Sequence, residues 1–238
     1  MNFVAQDRSN LKHRILLLGP SKAGKSYGAL VIATAMIQKY ATDKRVAVFD
    51  TENNATGALT PEFSFDVWKD NYKRFPPSLV GKFLQDAAKT HGVAVIDGMA
   101  SFWMGPGGTL EIVENAAKNK FGGNTVAGWA VGTPEQNNMV TAIQSCDLHV
   151  ITTCLGKIKT KIVKNKKTGK SDVIQTPGIV PEQRQNFPSI FNTIITCEYD
   201  AERKLHTADF ESHFSEVQGL HVENFGVEWI TNNLLTTI

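Results

Sequence analysis

Eight consecutive residues restrict this chain more than any other feature: Gly19-Pro20-Ser21-Lys22-Ala23-Gly24-Lys25-Ser26. They match the pattern G-x-x-x-x-G-K-[ST], and their flanks supply the context that pattern needs. Arg14 to Leu18 (RILLL) is a short apolar run of the sort a buried strand makes. Lys25 to Tyr40 has no proline and no glycine after Gly28, and Leu30, Val31, Met36 and Ile37 suit a largely buried helix. A glycine-bearing loop between strand and helix is a phosphate cradle. Gly19 and Gly24 let the backbone wrap closely, consecutive N–H groups turn inward, and the helix start adds partial positive charge. Lys25 is placed to reach β- and γ-phosphates and Ser26 to ligate Mg²⁺. Tyr27, next in the chain, is grouped with residues 19–26 as nucleotide-binding. ATP and Mg²⁺ are the expected cofactors.

The rest of the chain extends the same architecture. Arg45 to Asp50 (RVAVFD), Val93 to Asp97 (VAVID) and Leu148 to Cys154 (LHVITTC) read as further buried strands. A helix starts at Ser78, and another is expected from Thr133-Pro134-Glu135-Gln136, read as an N-cap, a first-turn proline and a capping-box glutamine. Strands alternating with helices predict an α/β fold: a mostly parallel, doubly wound sheet. After Leu155 the pattern changes. Asn165 to Lys170 suits a hairpin loop, and Phe191 to Cys197, Lys204 to Phe210 and Val227 to Ile230 are weaker strand candidates. The expectation is one domain over residues 1–238, with a core of about 14–155 and a basic hairpin with C-terminal antiparallel strands over about 156–238. Gly105 to Gly128, with six glycines around a short helix, is the least structured stretch.

With 238 residues, 42% hydrophobic and 20% charged, the chain is ordinary globular material and neither disordered, fibrous nor coiled-coil. Three cysteines with no CxxC pair suit reduced thiols and a cytoplasmic setting. No apolar run reaches membrane length, and no secretory signal opens the chain. Zinc-type His and Cys spacings are missing too. Net charge is only +2, but seven lysines (157, 159, 161, 164, 166, 167 and 170) share one stretch without an acid. Acids outnumber bases in the remainder.

Ligands of open α/β sheets sit beyond the carboxyl ends of the strands, and two acidic positions fall there. Asp97 closes VAVID, as a carboxylate that holds Mg²⁺ would. In VFDTEN, Asp50 and Glu52 are two apart, and either suits the base that takes a proton from attacking water. Thr152 and Thr153 end LHVITTC, where a hydroxyl can sense a γ-phosphate.

Taken together, GPSKAGKS, VFDTEN, VAVIDG and LHVITTC resemble the RecA-type ATPase core, and more narrowly the small phage-encoded RecA-like ATPases of recombination and single-strand annealing. The resemblance spans about Arg14 to Asp209. It implies that Glu52 is the catalytic base beside Lys25, that Asp97 is the Mg²⁺ carboxylate and that Thr153 is the sensor. It also implies a homo-oligomeric filament or ring in which a basic residue reaches a neighbour's γ-phosphate, with Lys157, Lys159 and Arg184 as candidates and Arg184 named for the role. Host cytoplasm follows if the chain is phage-encoded. The strand ending Thr-Cys, where RecA itself has glutamine, departs from the pattern.

The implied partner is single-stranded DNA, contacted by Lys157, Lys159, Lys161, Lys164, Lys166 and Lys167. A lysine-rich hairpin can track a phosphate backbone, and it can equally keep an exposed sheet edge from pairing. Trp68 and Trp129 suit packing. The aromatics nearest the arm in character, Trp103, Phe121 and Trp129, lie in the glycine-rich region, which is expected to face the same DNA path. The rival readings are a small-molecule or nucleotide kinase, for which the arginine-bearing lid is lacking, and a non-hydrolysing nucleotide-binding assembly module.

Overall fold

The computed structural model describes residues 11–68, 72–164 and 171–235. Among the described residues the sheet has nine strands: β1 (Arg14–Gly19), β2 (Arg45–Asp50), β3 (Phe65–Val67), β4 (His91–Asp97), β5 (His149–Lys164), β6 (Ser171–Pro181), β7 (Thr193–Asp200), β8 (Leu205–Ser212) and β9 (His221–Glu223). Spatial order is β3-β2-β4-β5-β1-β7-β8-β9, with β6 hanging from β5. From β3 through β7 the neighbours are parallel, while β8, β9 and β6 are antiparallel additions. The α/β expectation of a mostly parallel sheet with an antiparallel extension holds.

Alternation along each strand splits the core into two layers. Ile15, Leu17, Val46, Val48, Val93, Val95 and Ile151 pack with helix α1 (Lys25–Tyr40) and with α6 (Val227–Asn233). Leu16, Leu18, Ala47, Phe49, Ala94, Ile96 and Val150 face the other way, onto α2 (Ser78–Ala87) and α5 (Thr125–Ser145). Leu16, Leu17, Ile32 and Ile96 are fully buried. Each such side chain contributes ~1.5–3 kcal/mol on leaving water.

Three local expectations fail. First, the helix expected from Thr133 starts at Thr125, capped by Asn124, whose side-chain oxygen accepts from the Ala127 N–H at 3.1 Å. Pro134 therefore lies inside the helix, where it removes one hydrogen bond, and Gln136 is buried rather than capping. Second, the glycine-rich region is helical: α3 (Ser101–Met104) and α4 (Thr109–Lys120) precede α5. Gly128, and Gly132 just beyond the stretch, allow close contact between α4 and α5. A Cβ on Gly128 would lie 2.4 Å from the Val113 carbonyl oxygen, and one on Gly132 would lie 2.3 Å from the Val113 side chain. Third, Val227 to Ile230 is the start of a helix, not a strand. Its apolar residues continue at Leu234 and Leu235, a helical spacing that four residues are too few to reveal.

The lysine stretch runs straight out of the sheet. β5 continues past Cys154 and pairs with β6 as a two-stranded arm, with a register shift between Ile158 and Thr160 of the kind that bends a ribbon. The expected loop, Asn165 to Lys170, with Lys166 and Lys167, lies outside the described residues, as do the side chains of Lys161 and Lys164.

Candidate functional site

The carboxyl ends of β1, β2, β4 and β5 meet at one point. β1 delivers the loop 19–26, which turns through two left-handed residues, Lys22 (φ 65°) and Gly24 (φ 83°), into α1. At Gly24 a Cβ would also lie 2.8 Å from the His206 ring, so glycine is required there by both backbone and space. Lys25 is buried, and its ammonium donates to the Pro20 carbonyl at 2.7 Å, inside the curl of the loop.

Ser26 and Asp97 come from different elements and touch. The Ser26 hydroxyl lies 2.9 Å from both carboxylate oxygens of Asp97. Thr153, from the adjacent β5, donates to Asp97 Oδ1 at 2.5 Å and accepts from the Gly98 N–H at 2.9 Å. Thr152, the other sensor candidate, faces away and bonds to the Ile15 carbonyl. Asp97 has no exposed surface. Burial pushes its pKa up to about 6; the Thr153 and Ser26 hydrogen bonds oppose the rise, and Glu52 and Asp50 add to it. Two hydroxyls and a carboxylate whose charge is costly where it stands form a hard-oxygen set that fits Mg²⁺. Among the described residues no group of three or more His, Cys, Asp or Glu could hold a metal.

The structure also separates Asp50 from Glu52. Asp50 is occupied in its own loop: it accepts from the Glu52 N–H at 2.7 Å, the Thr56 N–H at 2.8 Å and the Thr56 hydroxyl at 2.6 Å. Glu52 is exposed, and its side chain leans over Gly98, where an added Cβ would lie 2.9 Å from Glu52 Cγ. Thr51 beneath it bonds to the Gly98 carbonyl and to Ser101, locking the ends of β2 and β4 together.

Beside the loop lies a cavity of about 330 Å³, lined by Ala23, Gly24 and Tyr27 with His206, Asn224 and Phe225. Tyr27 is 43% exposed and packs edge-on against Phe63. Asn224 accepts the His206 N–H on its side-chain oxygen, which leaves its amide hydrogens for another acceptor. His206, Asn224 and Phe225 carried no local signal, because only the antiparallel extension folds them back onto the loop. Cys154 and Cys197 are buried nearby with thiols pushed up to about 12, so neither is reactive.

A second set that sequence reasoning missed is a buried amide chain. Gln183 donates to the Met99 carbonyl at 2.8 Å, two residues from Asp97. Gln136 donates to Gln183 at 3.0 Å, and its own oxygen lies 2.8 Å from the Thr109 hydroxyl. This chain ties the end of β4 to the returning end of the arm and to α4 and α5. Lys157 pairs with Glu182 at 2.9 Å, Lys159 is exposed, and Arg184 bonds to Asn137 of α5 at 3.1 Å.

A family model described as an AAA domain matches residues 11–219, nearly the whole of the chain described above. The chain belongs to the AAA domain family. Its phosphate loop on β1, with β5 lying between β1 and β4, gives this AAA domain the architecture of a P-loop nucleotide-binding fold. A search of curated proteins returns no match. Among solved structures, that of the RadB recombinase resembles the AAA domain with a TM-score of 0.46 and 15% identity, over 88% of this chain and 84% of that one, a likeness too distant to bear on activity. Among the described residues, no helix is long and apolar enough to cross a membrane.

Proposed function

We propose that this AAA domain binds ATP with Mg²⁺, hydrolyses it, and couples the cycle to single-stranded DNA in recombination, replication or repair, as the resemblance to phage-type annealing ATPases suggests. The observation that carries the nucleotide part is the contact between Ser26 and Asp97 beside the loop, which assembles oxygen ligands where a phosphate-bound cation belongs. Mg²⁺ there would neutralise charge on the transferred phosphoryl oxygens. Lys25 binds the β- and γ-phosphates, and the backbone N–H groups of residues 19–26 hold the remainder. Glu52 accepts the proton of the attacking water, and Thr153 keeps Asp97 oriented. The cavity at Tyr27, His206 and Phe225 takes the base and ribose. Lys157, Lys159, Lys161, Lys164, Lys166 and Lys167 track the DNA backbone. In a homo-oligomeric ring or filament, Arg184 is the residue assigned to a neighbour's phosphates.

Phosphate release measured with and without single-stranded DNA, for wild type, Lys25→Ala and Glu52→Gln, tests this reading. Wild type turns over and is stimulated by DNA; Glu52→Gln binds ATP without turnover; Lys25→Ala does neither. Wild type that binds ATP without ever releasing phosphate would make this a nucleotide-binding module instead. Turnover indifferent to DNA would remove the DNA part alone.

A further inference from the structure

The two faces of β7 and β8 are finished differently. On the α1 side, Ile195, Cys197, Ala208 and Phe210 belong to the first core layer. On the opposite side only Ile194 joins the second layer, and it is partly buried. Thr196 pairs with Asp209 and Ile194 with Glu211, so these side chains share that second face with Glu198. The arm stands across from them, and a groove of about 800 Å³ lies between. Its arm wall is apolar, with Ile158, Ile179, Val180 and Pro181, while its strand wall carries Glu198, Asp209 and Glu211. Asp209 is 2.7 Å from His221, but Glu198 and Glu211 are exposed and have no ionic partner among the described residues. Lys159 is the one cation of the lining among those residues.

The charge of the groove selects its occupant. Three carboxylates beside one lysine repel a phosphate backbone and favour a cationic segment. This chain carries a matching one. Lys157 to Lys164 reads KIKTKIVK, lysine interleaved with isoleucine, threonine and valine, in a stretch that has seven lysines and no acid. Ile158 and Ile174 are 56% and 46% exposed on the arm, which is more apolar surface than a solvated ribbon needs. Cations and isoleucines on one surface complement acids and isoleucines on the other. The root of the arm is itself a wall of the groove and is already paired with β6, so the segment that enters comes from another molecule.

We propose that this groove receives the lysine arm of a second copy of the chain. The proposal rests on the homo-oligomer of the reading above and gives it a contact that uses none of residues 19–26. The lysines concerned are those also assigned to DNA, so groove and strand compete for them, and single-stranded DNA loosens this assembly instead of building it.

Sedimentation of the full chain over a concentration series tests the contact, first without ligand, then with ATP and Mg²⁺, then with a thymidine oligonucleotide. Two variants carry reversed charges: Glu198→Lys/Glu211→Lys in the groove and Lys159→Glu/Lys161→Glu on the arm. Wild type is expected to self-associate without ligand, less so as salt rises. Each variant alone should associate at least about tenfold more weakly. An equal mixture of the two should regain association, because every arm then meets a groove of opposite sign. The regain also shows that both variants are folded. Excess oligonucleotide dissociates the wild-type assembly. Association unchanged in either variant, a mixture no stronger than its components, or an assembly that grows as the oligonucleotide occupies these lysines overturns the contact. Wild type that assembles only with ATP, and equally in both variants, overturns it while leaving the homo-oligomer reading. Wild type that is monomeric under every condition overturns both.

Discussion

The two ends of the parallel sheet bury titratable groups in opposite ways. At the carboxyl end, Asp97 is an acid held among hydroxyls and near two further carboxylates, with its pKa raised to about 6. At the amino end, His13 and His149 are bases stacked with Tyr40 and Phe214, with pKa values lowered to about 3 and about 4, chiefly by burial. Neither ring nitrogen of His13 has a hydrogen-bond partner among the described residues. Arg14 seals that end by donating to the carbonyls of His13, Leu148, Gln144 and Cys146. One end disfavours the charge of a buried acid; the other disfavours the charge of buried bases. The difference teaches that burial in one sheet favours the neutral form of acid and base alike, raising the one pKa and lowering the others.

The contrast is broken most severely at the phosphate loop. Lys25→Ala should reduce ATP turnover on the order of a hundredfold or more, since it removes a charge aimed at the reacting phosphates; steady-state phosphate release checks it. Next is Asp97→Asn. A carboxyl whose folded pKa lies above its unfolded value holds protons that the unfolded chain has released. Its contribution to stability therefore falls as pH rises through about 4 to 6. Removing that ionisation should raise the stability of the nucleotide-free protein at pH 7.5 by on the order of 2 kcal/mol, read by urea denaturation, while abolishing the stabilisation that Mg²⁺ with ATP confers.

Smaller effects sharpen the comparison. Gln183→Leu takes one of two donors from the Met99 carbonyl and the acceptor from the Gln136 amide, and should cost about 1–3 kcal/mol. Gln136→Leu/Gln183→Leu should cost less than the sum of the singles, as a double-mutant cycle would show. At the amino end the sign reverses. Histidines with depressed folded pKa values bind protons in the unfolded state first, so stability is lost as pH falls below about 6.5. His13→Phe should reduce the loss between pH 7 and 5 by about 2 kcal/mol without changing nucleotide affinity at pH 7.5. A changed affinity would show that the two ends are coupled.

Which parts of this were legible in the sequence depended on the range of the interactions. RILLL, RVAVFD, VAVID and LHVITTC read correctly as strands because buried parallel strands are continuous apolar runs, and GPSKAGKS lies where a strand-loop-helix reading puts it. The start of α5 did not read correctly, because the packed face of its first half is made of Gly128, Gly132 and Gln136, and large apolar residues enter it only at Met139 and Ile143. Thr133-Pro134 imitates a helix start that the Val113 contact overrides. That Asp50 is held by its own loop while Glu52 is exposed could not be read from VFDTEN, since it turns on Thr56 folding back onto Asp50.

By itself, the order of residues determined that strands would alternate with helices and that a glycine-bearing loop over residues 19–26 would join the first strand to the first helix, because hydrophobic period and glycine torsions act within a few residues. Tertiary structure alone decided that Ser26 would touch Asp97, that His206 and Phe225 would wall the cavity beside Tyr27, and that Trp103 would meet Trp129. Those contacts join residues that are 26 to nearly 200 positions apart, and only burial of the shared sheet brings them together.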